Sequence, residues 1–137
     1  GSPAMNILPA TVKKADSSSV EVDVGSSGHA VIPMPGSPDL AGQKVSVGVR
    51  PEDLSIADEG ADALIVGKIE IVEALGEVTL VYVRVEGREE PIIAKLHGHV
   101  TLERDEEIRL SGLSDSLHLF DGEGLSLAPF HRDKAAA

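Results

Sequence analysis

The chain has 137 residues, enough for one domain or two small subdomains sharing a core. Acids outnumber bases 23 to 12, a formal net charge of −11 that repels nucleic acid unless a local basic patch overcomes it. With no cysteine, disulfides and thiolate–metal chemistry are excluded. With only Tyr82, Phe120 and Phe130 as aromatics, a base-stacking platform is hardly available.

The core must be aliphatic, and Val, 14 Gly and 8 Pro favour short strands and many turns over helices. Period-two alternation, which puts one strand face on a core and the other in water, recurs along the chain. Val20, Val22 and Val24 alternate with Glu21 and Asp23. Val45, Val47 and Val49 alternate with Ser46 and Gly48. Pro51-Glu52-Asp53-Leu54 can open one helical turn, because Pro is tolerated at the first helical position. Ile69 and Ile71 alternate with Lys68 and Glu70, with a bulge or turn allowed between Ile71 and Gly76. Val81, Val83 and Val85 follow, then Leu117 and Leu119 around His118, and Leu125 and Leu127 around Ser126. Turn chemistry separates the runs: Gly25-Ser26-Ser27-Gly28, Pro35-Gly36-Ser37-Pro38, Glu86-Gly87 and Asp121-Gly122-Glu123-Gly124. An all-β sandwich or small barrel is predicted. No apolar run is long enough to span a bilayer, no secretory signal is visible, and residues 131–137 read as a tail.

Chemistry is sparse. No G-x-x-x-x-G-K-[ST] loop and no G-x-G-x-x-G turn is present. Leu110-Ser111-Gly112-Leu113-Ser114 shares three letters with the ATPase signature L-S-G-G-Q but lacks its second glycine and glutamine, and reads as a turn. His97-Gly98-His99 could pair two imidazoles on a strand face only if the glycine stays extended, and no third ligand is specified by spacing, Glu103 being merely near in sequence. The acids at 103–107 and 121–124 lack the oxygen spacing of a calcium loop and read as solvated turns. No serine sits in a nucleophile elbow. Arg50-Pro51-Glu52-Asp53, at the end of the run to Val49, can hold a local ion pair, bind an anion, or simply pin a strand end to a turn.

Four stretches resemble one family in order. Gly48-Val49-Arg50-Pro51-Glu52-Asp53-Leu54 is similar to the G-[IV]-R-P-E-[DH]-L motif of the C-terminal domain of sugar-importer ATPases, the maltose and glycerol-phosphate type of ABC import ATPase. Residues 72–83, with Glu73, Gly76 and Thr79, resemble V-E-x-L-G-x-E-T-x-x-x-V. Leu117-His118-Leu119-Phe120-Asp121 resembles a late H-L-F-D motif. The opening through Met5-Asn6-Ile7-Leu8-Pro9 resembles the G-S-P-x-M-N-x-L-P join between ATPase and C-terminal domain. Val78 stands where the pattern has Glu, which puts any polar contact of that Glu in doubt.

The resemblance implies an OB-like β-barrel of the TOBE type, as one barrel or two small intertwined β subdomains, over residues 1–130 with 1–10 as the join. It implies a regulatory and dimerisation domain of a carbohydrate importer's ATP-binding subunit, inert as a catalyst here. ATP and Mg are expected in an ATPase part preceding Gly1, which would dock on permease subunits at the cytoplasmic face of the plasma membrane. Partners implied are a second copy and regulatory proteins, and not nucleic acid. Arg50, Pro51, Glu52, Asp53, Glu73, Gly76, His118 and Phe120 are the family-motif positions, with structural or regulatory and no catalytic roles. An oxyanion-sensing module of a molybdate- or sulfate-type importer is the alternative. A single-stranded nucleic-acid binder and an independent hydrolase have only barrel topology and scattered acids and histidines behind them.

Overall fold

The computed structural model describes residues 4–25, 27–98 and 100–127. Ten strands form two antiparallel five-stranded sheets. The first sheet has the order β10-β4-β1-β2-β3. It is built from β1 (Asn6–Ala15), β2 (Val20–Val24), β3 (Gly28–Ile32), β4 (Lys44–Val49) and the late strand β10 (His118–Phe120). The second has the order β5-β9-β6-β7-β8, from β5 (Leu54–Ile56), β6 (Ile65–Ala74), β7 (Val78–Arg84), β8 (Ile92–His97) and β9 (Glu107–Gly112). The chain leaves the first sheet after Val49, completes the second, and returns to pair Leu119 with Val47. The sheets are thus interleaved in sequence, and the fold is all-β with a nearly closed, barrel-like sheet. The only helical pieces among the described residues are three-residue 3-10 turns, Pro38–Leu40, Pro51–Asp53 and Ser114–Ser116.

The period-two patterns explain the core. Val20, Val22, Val47 and Val49 are fully buried, and the intervening Asp23 is exposed. They join Leu8, Val12 and Ile32 with Ile69, Val81, Val83, Ile92 and Leu110 of the second sheet in one contiguous cluster. That continuity makes the two sheets one packed body with little room to deform.

Three sequence readings need correction. Alternation placed Ile69 and Ile71 on one face. A bulge at Glu70 shifts the register, because Ile69 faces Val83 while Ile71 faces the adjacent Tyr82. One extra residue reverses every later side chain, so Ile69 is buried and Ile71 is 49% exposed. Second, Leu110-Ser111-Gly112 is strand rather than turn. Leu110 pairs with Ile56 on one side and Ile65 on the other and is fully buried. Third, Leu125-Ser126-Leu127 forms no full strand. Beyond Asp121-Gly122-Glu123-Gly124 a single bridge joins Ser126 to Phe120, and Leu125 stays exposed.

Candidate functional site

The family-motif residues fall in two places. The first is a seam around β1, β4 and β10. β1 puts Asn6, Leu8, Ala10 and Val12 inward and Ile7, Pro9 and Thr11 outward. Asn6 is a polar residue at an inward position, only 7% exposed. Its Nδ2 donates to Val49 O at 3.2 Å and to Ile93 O at 2.9 Å, and its Oδ1 accepts from Ile93 N at 3.0 Å. One side chain therefore satisfies both backbone groups of Ile93 on edge strand β8 and ties the first sheet to the second. Arg88, in the β7–β8 loop, adds a neighbouring tie by donating to Ile7 O and, from Nε, to Glu90 O at 3.3 Å.

On the outer side of the same seam, Gly48 lies between Ile7 of β1 and His118 of β10. A Cβ at Gly48 would meet Met5 Sδ at 2.5 Å and Phe120 Cε2 at 2.9 Å. The bare glycine lets Met5 and Phe120 close over the sheet, and His118 stacks on Phe120 with ring centroids 6.4 Å apart. Three stretches distant in sequence meet here: the opening motif, the one beginning at Gly48, and His118-Leu119-Phe120. Arg50 then leads into the Pro51–Asp53 turn, closed by Asp53 N donating to Arg50 O at 2.9 Å. Pro51 is buried, while Arg50 and Glu52 are exposed. Among the described residues Arg50 makes no ion pair with Glu52 or Asp53. The backbone of the turn, not a salt bridge, pins β4 to β5.

The second place is the β6–β7 hairpin. Gly76 is the first central residue of its two-residue turn, at φ +85, the left-handed conformation a type II′ reversal demands. Glu73 points outward and accepts a hydrogen bond from the Tyr82 hydroxyl at 3.1 Å. That bond, more than desolvation or the carboxylate's charge, raises the Tyr82 pKa above its ordinary value, since the neutral phenol is the donor. Val78, at the foot of β7, is half-buried on the same outer face.

Among the described residues no group of three His, Asp or Glu could hold a metal ion. Asp121 Oδ1 is occupied by the amides of Glu123 and Leu125 at 2.8 and 2.9 Å, which is a turn and not a cation loop. His97 ends β8 exposed, and Gly98 at φ +84 takes the chain out of the strand. His99, Phe130, residues 131–137 and Gly1-Ser2-Pro3 of the opening motif lie outside the described residues. A cleft of about 270 Å³, lined by Leu8, Val24, Leu64, Val85 and Arg88 among others, lies between the sheets. Asn6 as a cross-sheet tie was not recognised in the sequence. The signal was its place at an inward position of the pattern continued by Leu8, Ala10 and Val12. Arg88 carried no such signal, because its role depends on the β7–β8 loop reaching β1.

Comparison with known proteins agrees with the motifs. The model of the TOBE domain matches residues 47–120, and the model of the MalK OB fold domain matches residues 1–54. The alpha-glucoside transport ATP-binding protein AglK of Rhizobium meliloti is 41% identical over 126 residues, 92% of this chain and 34% of its own length. The sn-glycerol-3-phosphate import ATP-binding protein UgpC of Ruegeria pomeroyi is 37% identical over 90% of this chain and 31% of its own length. The maltose/maltodextrin import ATP-binding protein MalK of Vibrio cholerae is 31% identical over 98% of this chain and 36% of its own length. The chain thus spans about a third of the length of these curated relatives. Among solved structures, the cytoplasmic molybdate-binding protein ModG aligns with a TM-score of 0.67 at 13% identity, covering 85% of this chain and 95% of that one. At that identity the likeness concerns the fold. No helix among the described residues is long and apolar enough to cross a membrane. With a family model spanning more than half of its length and the motifs of sugar-importer ATP-binding proteins in order along it, the chain belongs to the TOBE domain family.

Proposed function

We propose that this chain is the regulatory and dimerisation domain of the ATP-binding subunit of a carbohydrate ABC importer, and that it hydrolyses no ATP by itself. The supporting observation is the seam. The motifs that resemble the importer ATPases are spent on a cross-sheet tie, a glycine-floored contact and a strand-end turn, all of which build a rigid body. A rigid β body transmits position between subunits without deforming. In this reading ATP and Mg are bound by an ATPase part of the parent subunit, and that part meets the permease subunits at the cytoplasmic face of the membrane. This domain meets a second copy of itself and regulatory proteins. Arg50, Glu52 and His118 serve as surface and turn residues and take no part in chemistry.

The test uses the purified chain. No ATP turnover is expected to survive repurification, whereas turnover that co-purifies through successive columns would overturn the reading. Calorimetric titration with molybdate, tungstate and sulfate is expected to be flat. A stoichiometric heat with any of them would replace the reading with oxyanion sensing.

A further inference from the structure

The cleft between the sheets has apolar walls and a charged mouth. Its walls include Leu8 of β1, Val24 of β2, Leu64 and Val85. Leu8, Val24 and Leu64 are buried members of the core, so the cleft leads directly to the packed interior. At the mouth lies the Val85–Arg88 turn, closed by Arg88 N donating to Val85 O at 3.1 Å. Gly87 takes its third position at φ +85, the left-handed value that a type II turn needs there. The turn sets two opposite charges on the cleft, Glu86 and Arg88. Neither is in an ion pair among the described residues. Arg88 Nη1 and Nε donate to Ile7 O and Glu90 O, which fixes the guanidinium, while Nη2 has no partner among the described residues. A donor and an acceptor thus stand in place before anything binds, and that lowers the ordering cost of binding.

The volume and the walls restrict the occupant. About 270 Å³ is just below the roughly 300 Å³ at which pockets begin to hold drug-sized ligands, so the occupant is small. Apolar walls call for an apolar body. A sugar finds few partners for its hydroxyls there, and no aromatic residue lines the cleft. An inorganic oxyanion would lose its hydration against Leu8 and Leu64 and meet one guanidinium beside a carboxylate. The shallower groove beside the mouth adds no net positive field: Lys68 pairs in register with Glu107, and Arg84 meets Asp105 at 3.5 Å. A zwitterion with an apolar side chain satisfies every group. Its carboxylate takes the free Nη2 of Arg88, its ammonium faces Glu86, and its side chain fills the cleft. We infer that the cleft is a binding site for a free apolar α-amino acid of about leucine's size. The inference is independent of the regulatory and dimerisation reading. Such a ligand touches Leu8 and Val24 of the first sheet on one side and Leu64 and Val85 on the other, so its binding stabilises the folded chain by mass action.

The test is calorimetric titration of the purified chain with L-leucine and with three partial ligands. L-serine lacks the apolar body, isocaproate the ammonium and isoamylamine the carboxylate. Leucine should give a saturable one-to-one heat and raise the thermal midpoint. Serine and isoamylamine should bind about tenfold more weakly, and isocaproate about threefold, since Glu86 is exposed. Val85→Phe fills the mouth without touching the side-chain bonds of Arg88 and should abolish leucine binding. Glu86→Gln should weaken leucine about threefold and leave isocaproate no weaker, a split that a merely structural effect would not produce. Circular dichroism checks the fold of both variants, and Glu86→Gln, at an exposed position, carries the test if Val85→Phe does not fold. The inference is overturned by the absence of a saturable heat with leucine up to about 10 mM. It is equally overturned if serine binds as well as leucine, or if leucine binds undiminished to Glu86→Gln or to folded Val85→Phe.

Discussion

Replacing Asn6 with Ala removes a side chain that makes three hydrogen bonds, one to Val49 O within the first sheet and two across to the second, to Ile93 O and from Ile93 N. A typical intramolecular hydrogen bond contributes about 0.5–1.5 kcal/mol net, and a buried group left without a partner costs about 1–3 kcal/mol. The Val49 carbonyl is in the buried bond, while the Ile93 groups are part-buried and regain some contact with water in the variant. The expected loss is therefore about 2–4 kcal/mol, less than the full sum. With a urea slope of about 2 kcal/mol per M, the unfolding midpoint should fall by about 1–2 M at unchanged slope. Amide exchange gives a local readout, because Ile93 N–H loses its acceptor and should exchange far faster than its β8 neighbours Ala94 and Leu96. Asn6→Asp should be no better at neutral pH. It keeps an acceptor for Ile93 N but sets a carboxylate against two carbonyl oxygens. A loss for Asn6→Ala under about 0.5 kcal/mol, the range of an ordinary surface change, with Ile93 still protected, would refute the idea that this residue ties the sheets.

Gly76→Ala should destabilise by about 1–2 kcal/mol, the cost of forcing an L side chain into a left-handed turn, read as a drop of a few degrees in the thermal midpoint. Tyr82 is the only tyrosine and there is no tryptophan, so alkaline titration by ultraviolet absorbance reports it directly. Glu73→Ala, which removes the acceptor, should move that titration down toward the ordinary tyrosine range, and an unmoved titration would deny the Tyr82–Glu73 bond. The Tyr82 pKa is raised on folding, so its contribution to stability is present below the ordinary value and lost as pH rises through the folded one. Asp16 titrates below its ordinary value, chiefly because its Oδ1 accepts from Ser18 N at 2.8 Å, with the Ser18 hydroxyl and Ser19 N adding to it. Its contribution is present above the ordinary aspartate value and lost as pH falls through the lowered one. Asp16→Ala should therefore lower the thermal midpoint near neutrality and match the parent in strong acid.

Strands with clean alternation, β2, β4 and β7, could be read from valines alone, because burial on one face leaves a period-two trace that no other structure mimics. β1 was hidden by Pro9, which ordinarily argues against a central strand. The register explains the exception: β1 pairs with β4 from Asn6 but with β2 only from Ala10, so at Pro9 the strand still has a free side. β8 was hidden because Ile93 sits outward between buried Ile92 and Ala94, erasing the polar beats. The motif segments were legible as words, and their meeting at Gly48 was not. Contact between Met5, Phe120 and a missing Cβ depends on strands more than 40 residues apart lining up in register.

The bulge at Glu70 was the least legible feature and has the widest consequence. Without it, Ile71 and Leu75 would keep the orientation of Ile69 and face the core, and Glu73 with them. The hairpin would then turn a carboxylate to the core side of β6, where Val72 is half-buried, and take it from the Tyr82 hydroxyl. One inserted residue resolves that conflict. It keeps Ile69 in the core and moves Glu73 to the surface beside Tyr82. The same shift carries two large apolar side chains outward with it, because period-two geometry cannot reverse one residue and spare its neighbours. The exposed apolar face of the second sheet is therefore a geometric consequence of placing Glu73 in water. Deleting Glu70 leaves Ile71 directly after Ile69, so Ile69 still pairs with Val83 in the core, Ile71 still pairs with Tyr82 outside, and Glu73 keeps its place beside the Tyr82 hydroxyl. The Tyr82 titration should therefore be unchanged in the deletion variant, and a titration lowered toward the ordinary tyrosine range would show that Glu70 is not the extra residue of the bulge.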